Sequence, residues 1–450
     1  MVSARALLPA SRTLLRDALA VVAAEQRRVD DWLAGRWRVV LLALAAVAQS
    51  LSAWRVLSRP GYPHLRDSRI FEYVGWQVAR GTTLYVETFE VKPPLSFETT
   101  AALSVLAGDD QLLYHHLNVA LTCAAAVCVV VLVGELAHDA TGEPAAAVAA
   151  GLSLYVLPLF ALRSGFGFKA KYFVLATGLL AVWFARRDRD ALAGGAAAAS
   201  VGYWQVALVF PVVVLAFAAR RGPRAVGRVV AGGAAVSVLV LAPVLLAGVD
   251  GVVAMLNQTV LVSRYASEGG ALLDRADRLL GMLWWGRALF VAGVVGLAVA
   301  ATRARDRAWW AVVCAAWFLA VAVRFDLDAA PDLFASLAFV AIGLAIVAAR
   351  AGPVARGTIL AATVAVLVVN VGFLGGFGVV SDPMTLSADP PPVAGPAEVD
   401  APYSTAEHHA LLWYGMPAET CHVFFGPTQQ AWVAAVDGSP TEERCRTTFP

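Results

Sequence analysis

The stretch HLRDSRIFEYVGWQVARGTTLYVETFEVKPPLSFETT, residues 64–100, lies between two apolar runs at residues 37–57 and 114–137. Each run can cross a bilayer, because a membrane-spanning helix needs about 20 mainly apolar residues. Residues 58–113 therefore form a long loop on one side of the membrane. Residues 1–36 carry several arginines and lack the features of a signal peptide, which indicates a cytoplasmic N-terminal segment and an external loop.

The composition predicts a polytopic membrane protein. Hydrophobic residues make up 59% of the 450 residues and charged residues only 15%, against about 25% charged in a typical soluble domain. The arginines form short clusters between apolar runs, as topology signals do, which argues against a nucleic-acid partner. We predict an all-α fold with about eleven transmembrane helices. Further spans are expected at residues 145–162, 172–185, 229–248, 283–301, 308–323, 333–349 and 358–379.

The apolar stretch 191–219 has arginines on both sides. Since positive residues mark the cytoplasmic side, it should enter the membrane and return as two short helices. One tilted helix is the alternative.

The membrane module covers residues 37–379, and residues 380–450 form an external C-terminal domain. That domain is acidic, with nine acidic and two basic residues from Ser381 to Pro450. Its pattern predicts a small α+β unit after a Pro- and Gly-rich linker. Cys421 and Cys445 lie on the oxidising face, where they form either a disulfide bridge or two buried thiols.

The first external loop places polar groups at the height of the lipid headgroups. From Asp67 the chain predicts an amphipathic helix on the membrane interface, ending near Gly81. Tyr85, Glu90 and Lys92 follow. Pro93 and Pro94 are expected to hold the backbone extended.

Lysine usage singles out the same loop. Only three of the 35 basic residues are lysines, namely Lys92, Lys169 and Lys171, and all three fall on the predicted outer face. Lys92 suits phosphate binding, because an ammonium is a compact point charge. For Lys169 and Lys171 we favour anchoring at the membrane edge.

Other external charges are either membrane anchors or ligands of a phosphate. This group comprises Arg163, Arg264 and Arg324. Asp326, close to Arg324, is expected to orient the acceptor or the site.

The pattern D-x-x-x-x-E-Y-x-G-W-x-x-x-x-G-x-x-x-Y-x-x-x-F-E-V-K-P-P-L, residues 67–95, resembles the first external loop of polytopic lipid-phosphosugar glycosyltransferases of the GT-C type. That group includes protein O-mannosyltransferases, aminoarabinose transferases and archaeal dolichyl-phosphate-mannose mannosyltransferases. The resemblance implies that Asp67 is the catalytic base and that Lys92 steadies the leaving phosphate, with inversion at the sugar carbon. Glu72, Tyr85 and Glu90 would orient the acceptor or the site.

The resemblance implies a dolichyl or polyprenyl phosphate sugar donor, most simply one carrying mannose, and a glycan acceptor on lipid or protein. No cofactor or metal is required in this branch. The composition is typical of a high-GC prokaryote, such as a haloarchaeon glycosylating its surface proteins. Two alternatives are a transporter or flippase of lipid-linked glycans, and an oligosaccharide transferase acting on asparagine.

Overall fold

Helices form nearly all of the structure, a computed structural model that describes residues 4–58, 63–64, 66–88, 90–262, 277, 281–283, 286–303, 305–324, 333–373 and 384–385. In chain order the α-helices are α1 (Ala4–Ala34), α2 (Trp37–Leu57), α3 (Arg66–Ala79), α4 (Leu95–Ala107), α5 (Gln111–Thr141), α6 (Pro144–Leu152), α7 (Pro158–Leu162), α8 (Ala170–Ala185), α9 (Asp190–Tyr203), α10 (Val209–Ala219), α11 (Pro223–Leu246), α12 (Gly248–Leu256), α13 (Arg287–Arg303), α14 (Arg305–Arg324), α15 (Phe334–Arg350) and α16 (Pro353–Leu367). Two short strands, β1 (Pro63–His64) and β2 (Met384–Thr385), pair antiparallel.

Within the described residues, four helical segments are long and apolar enough to cross a membrane: α2, α5, α11 and Pro353–Gly372. The broken pair Pro144–Val156 and Pro158–Phe166 gives a fifth if it is one span. The other apolar helices are shorter. A mostly helical membrane protein is therefore confirmed, whereas the count of eleven crossings stays a prediction.

The span predicted over residues 145–162 is broken in the structure. The chain bends by 89° between Pro144–Val156 and Pro158–Phe166. Leu157 is extended, with φ −91° and ψ 110°, and Pro158 opens the next helix. A residue before proline is driven out of the helical region, and proline fits the first turn of a new helix. After the bend, the chain continues into the 3₁₀ turn Arg163–Phe166.

The extended backbone predicted at the double proline is wrong at Pro94. Pro94 has helical torsions, with φ −67° and ψ −31°, and is the N-cap of α4. A proline costs little there, because the first N–H groups of a helix have no partner within it. The external loop 58–113 thus contains α4 in addition to the predicted interfacial helix α3.

The predicted hairpin at residues 191–219 is confirmed as two helices, α9 and α10, joined by the 3₁₀ turn Gln205–Leu208. The outer ends of the two helices lie side by side: Arg221, just after α10, pairs with Asp188 at 2.6 Å and also with Asp190, at the start of α9. The tip of the hairpin, at Trp204, therefore lies at the opposite end of these helices.

Helix α11 packs closely along α9 through small residues. A Cβ at Gly194 would overlap the carbonyl oxygen of Val229, and one at Gly232 would overlap that of Ala191. Small residues allow such close backbone approach in membrane helices. This packing sets the width of a groove that reaches the hairpin tip.

Ion pairs gather at one end of the bundle, here called the arginine-rich end. They join helix termini and turns that the sequence assigns to the cytoplasm: Arg38 with Glu135, Arg187 with Asp139, Arg221 with Asp188 and Arg356 with Glu143. The loop containing α3 and α4 follows the far end of α2. It therefore lies at the other end, together with the hairpin tip.

Several predictions lie outside the described residues. These are the C-terminal domain beyond β2, the Cys421–Cys445 pair, and the side chains of Arg264 and Asp326. The structure gives the helical backbone of Asp67 and Arg324, but not their side chains.

Candidate active site

Helix α3 is held in place by the segment 163–169. The Ser68 hydroxyl donates to the carbonyl oxygen of Phe168 at 2.9 Å and accepts from Arg163 Nη1 at 3.0 Å. Asp67, the predicted base, lies one residue earlier, in the first turn of α3. The backbone that carries Asp67 is therefore fixed by a buried polar network.

Glu72 belongs to the same network. It is fully buried, and its Oε1 accepts the N–H of Phe168 at 3.1 Å while its Oε2 lies 3.0 Å from His115 Nδ1. Gly167 lies beside the Glu72 carboxylate and has a left-handed backbone conformation, with φ +107°. A Cβ at Gly167 would overlap Glu72 Oε1. These contacts join α3, α5 and the segment before α8. Of the two roles predicted for Glu72, this geometry fits orientation of the site.

Arg163 does not lie at the surface. It is 3% exposed and contacts Ser68. Of the two interpretations of this arginine, anchoring at the membrane edge does not fit its burial.

Tyr85 shapes the turn that leads to Lys92. It has φ +68°, unusual for a residue with a side chain. Its N–H donates to Thr88 Oγ1 at 3.0 Å, and its hydroxyl donates to the carbonyl oxygen of Lys92 at 2.7 Å. Tyr85 thus orients the backbone at Lys92.

Gln258, which the sequence analysis did not single out, braces the same turn. It lies in the π-helical segment Asn257–Val262, is fully buried, and donates from Nε2 to the carbonyl oxygen of Tyr85 at 2.8 Å. Its Oε1 accepts the N–H of Glu90, also at 2.8 Å. The side chain of Gln205 adds bonds to the carbonyl oxygens of Val91 and Thr259 at 3.1 and 2.9 Å.

One acid of the external loop, Glu90, is buried, and a second, Glu98, is partly buried. Glu90 is 2% exposed, and burial raises the pKa of its carboxyl well above the usual range, against a smaller opposing effect of the Lys92 charge. Burial also raises the pKa of Glu98, in the first turn of α4, to about 7. A carboxyl with a raised pKa carries a proton nearer to neutral pH. Neither Glu90 nor Glu98 is therefore a solvent-exposed negative charge.

Lys92 and Lys171 converge on the hairpin tip. The Nζ atoms lie 4.6 Å and 5.1 Å from the ring centroid of Trp204. Lys169, two residues before Lys171 and the N-cap of α8, is 5% exposed. Anchoring at the membrane edge, predicted for Lys169, is therefore wrong, because such a lysine keeps its charge in water.

An apolar groove of about 420 Å³ runs between α9, α10 and α11. Pro93, Pro94 and Gln205 line the groove, and these residues adjoin Lys92 and Trp204 in sequence. The rest of the lining is mostly small or aliphatic, and includes Gly194, Ala197, Val201, Gly202, Leu208, Leu215, Val229, Gly233 and Val240. An apolar groove whose lining adjoins a lysine in sequence suits an amphiphile with an anionic head.

Metal ligands do not cluster in the part of the chain that the structure describes: no three His, Cys, Asp or Glu side chains there could share an ion.

The chain matches known proteins in sequence. Residues 81–242 match the model of the family described as DolP-mannose mannosyltransferase. A dolichol phosphate-mannose mannosyltransferase of Haloferax volcanii is 26% identical over 428 residues, which cover 88% of this chain and 93% of the relative.

Two solved structures share the fold. ArnT from Cupriavidus metallidurans bound to undecaprenyl phosphate superposes with a TM-score of 0.52 at 17% identity, over 72% of this chain and 62% of ArnT. The Archaeoglobus fulgidus oligosaccharyltransferase in complex with zinc and sulfate gives a TM-score of 0.51 at 15% identity, over 76% of this chain and 53% of that one. The chain thus spans less than two thirds of either neighbour. In sequence the chain is similar to the dolichol phosphate-mannose mannosyltransferases, and in fold it is similar to ArnT and the archaeal oligosaccharyltransferase.

Proposed function

We propose that the chain transfers mannose from dolichyl phosphate to a glycan linked to lipid or protein, in the glycosylation of surface glycoproteins. The observation that carries the proposal is the contact of the Lys92 ammonium with Trp204, together with the apolar groove lined by their sequence neighbours Pro93, Pro94 and Gln205. This arrangement suits a donor that has a phosphate head and an isoprenoid chain. The name of the Haloferax volcanii relative supports mannose, and the undecaprenyl phosphate bound to ArnT supports a polyprenyl carrier.

In the proposed reaction an acceptor hydroxyl attacks the anomeric carbon of the sugar. Asp67 takes the hydroxyl proton as the new carbon–oxygen bond forms, and the bond from that carbon to the phosphate oxygen breaks. The electron pair leaves with the phosphate, and the ammonium of Lys92 stabilises its added charge. A positioned base contributes about 10²- to 10⁴-fold in rate. Attack opposite the leaving phosphate inverts the configuration of the sugar carbon.

The proposal places the arginine-rich end in the cytoplasm, together with the N-terminus. Basic residues accumulate on the cytoplasmic side of membrane proteins. The site and the C-terminus are then external, so the acceptor is a glycan already exported across the membrane. Cysteine labelling with a membrane-impermeant reagent, at Thr83 in the loop and at Arg189 in the arginine-rich end, tests this orientation.

Transfer in this scheme needs no divalent metal, because a lysine stabilises the leaving phosphate. Activity should therefore persist in excess EDTA. Loss of activity in EDTA, restored by Mg²⁺ or Mn²⁺, would contradict this part of the proposal.

The first experiment is transfer of radiolabelled mannose from dolichyl phosphate mannose to lipid-linked or protein-linked glycan by the purified protein. We expect Asp67→Asn to lower the rate by at least about 100-fold, as for loss of a general base. Asp109→Asn is the matched control, because Asp109 lies in the same external loop and pairs only at the surface, with Arg80.

Full activity of Asp67→Asn would refute the base assignment. Activity with another lipid-phosphate sugar alone would change the donor, and inactivity with every donor would favour the transporter or flippase. Transporters place polar groups near the midplane of the membrane, whereas here the lysines and the loop acids lie at one end of the bundle.

A further inference from the structure

We propose that Lys171 is a second ligand of the lipid phosphate, acting with Lys92 beside the indole of Trp204. The inference rests on the proposed function, since it takes the phosphate to bind at Lys92. It adds a residue from α8 to a site otherwise built from the external loop and the hairpin tip.

The geometry at Trp204 is the first argument. The ammonium of Lys92 lies 4.6 Å from the ring centroid and that of Lys171 lies 5.1 Å from the same centroid. The two charges are thus at most about 10 Å apart, comparable to the distance over which physiological salt screens charges. In our proposal the phosphate lies beside the ring, and different phosphate oxygens accept from the two ammoniums.

The position of Lys171 in its helix is the second argument. Lys171 is the second residue of α8, and Lys169 is the N-cap. The N-terminus of a helix carries a partial positive charge, so a cation in the first turn is unfavourable and an anion beside it is favourable. A phosphate bound beside this end of α8 would interact favourably with the helix.

The groove defines the rest of the ligand. Its lining includes Pro93 and Pro94, directly after Lys92, and Gln205, directly after Trp204. In our proposal the lipid chain lies in the groove and its head group lies beside Trp204. An isoprenoid chain fits the aliphatic lining between α9, α10 and α11, whereas a soluble phosphate would leave the groove unused.

Binding of dolichyl phosphate, which carries no sugar, tests Lys171 separately from transfer. The full-length protein in detergent micelles is titrated with dolichyl phosphate and, in parallel, with uncharged dolichol. We expect Lys171→Ala to weaken binding of dolichyl phosphate by about 10- to 100-fold, the loss of one charged hydrogen bond, and to leave dolichol binding unchanged. Lys171→Arg should restore part of the affinity, because the charge is kept.

Arg220→Ala is the matched control. Arg220 lies over the ring of Trp309 at 4.6 Å, beyond the opposite end of α10. The Arg220→Ala variant removes a cation from an indole without touching the proposed site. The affinity of this variant for dolichyl phosphate should equal that of the wild type.

Three results would overturn the inference: wild-type affinity in Lys171→Ala, equal weakening of dolichyl phosphate and dolichol, or no binding of dolichyl phosphate by the wild type. If the wild type binds dolichyl phosphate but transfers no mannose, the proposed function fails while the titration still decides on Lys171. If transfer occurs, Lys171→Ala should raise the donor KM more than it lowers kcat.

Discussion

Replacing Gln258 with leucine should loosen the turn that carries Lys92. The wild-type amide makes two bonds of 2.8 Å, one to the carbonyl oxygen of Tyr85 and one from the N–H of Glu90. Leucine fills a similar volume but bonds to neither group. A buried peptide group without a partner costs about 1–3 kcal/mol, so the two together cost about 2–6 kcal/mol.

When the turn opens, the Tyr85 carbonyl and the Glu90 N–H can bond to water. The free-energy cost of the substitution should therefore appear as more frequent local opening of residues 85–92. A change of about 2 kcal/mol or more corresponds to roughly 30-fold faster exchange of the Glu90 amide hydrogen. Hydrogen exchange read by mass spectrometry on the peptide that covers residues 85–92 measures this. The donor KM should rise as well, because Lys92 is positioned by the same turn.

Gln49→Leu is the matched control, because Gln49 is also buried and also makes two side-chain bonds, to Tyr155 and Ser164 in the helical bundle. Unchanged exchange at residues 85–92 in Gln258→Leu would refute the reasoning. Equal acceleration in Gln49→Leu would show a general loss of stability instead of a local brace.

Three further predictions concern the rest of the site. Glu72→Ala leaves the Phe168 N–H and the His115 ring without their buried acceptor; we expect the free energy of unfolding in detergent to fall by about 2–6 kcal/mol, and an unchanged melting temperature would contradict this. Gly167→Ala should destabilise the protein more than Gly81→Ala, since both have positive φ but only the Cβ at Gly167 would meet another residue, Glu72; equal losses would show that the contact is unimportant. The pKa of Glu98 is raised to about 7 by burial, so the folded state holds this proton more tightly than the unfolded state; stability from this group is greatest below about pH 4.5 and falls as pH rises towards 7. The melting temperature should therefore drop less between pH 5 and pH 8 in Glu98→Gln than in the wild type, and an equal drop would contradict the prediction.

The sequence by itself determined the class of protein and most of its helices. Hydrophobic runs report directly on the bilayer, because every membrane-spanning segment must bury its backbone polar groups in a helix with an apolar surface. The same logic placed the long loop after α2 and the two-helix hairpin α9–α10, whose flanking arginines meet through Arg221 in the structure. The motif from Asp67 to Leu95 pointed to the enzyme family.

Local irregularities of the backbone were harder to predict from the sequence. Both departures from the expected backbone lie at prolines, the bend at Pro158 and the start of α4 at Pro94. A proline excludes a continuous helix but is equally compatible with an extended segment and with the first turn of a new helix. Packing of the neighbouring elements selects between these outcomes.

Only the tertiary structure decided which side chains meet. Lys92, Lys171 and Trp204 come from three separate segments, and Gln258 binds a turn 168 residues earlier in the chain. Hydropathy and spacing describe one segment at a time. The meeting of these residues depends on how helices rotate and approach one another, which small residues such as Gly194 and Gly232 set through close packing of α9 and α11.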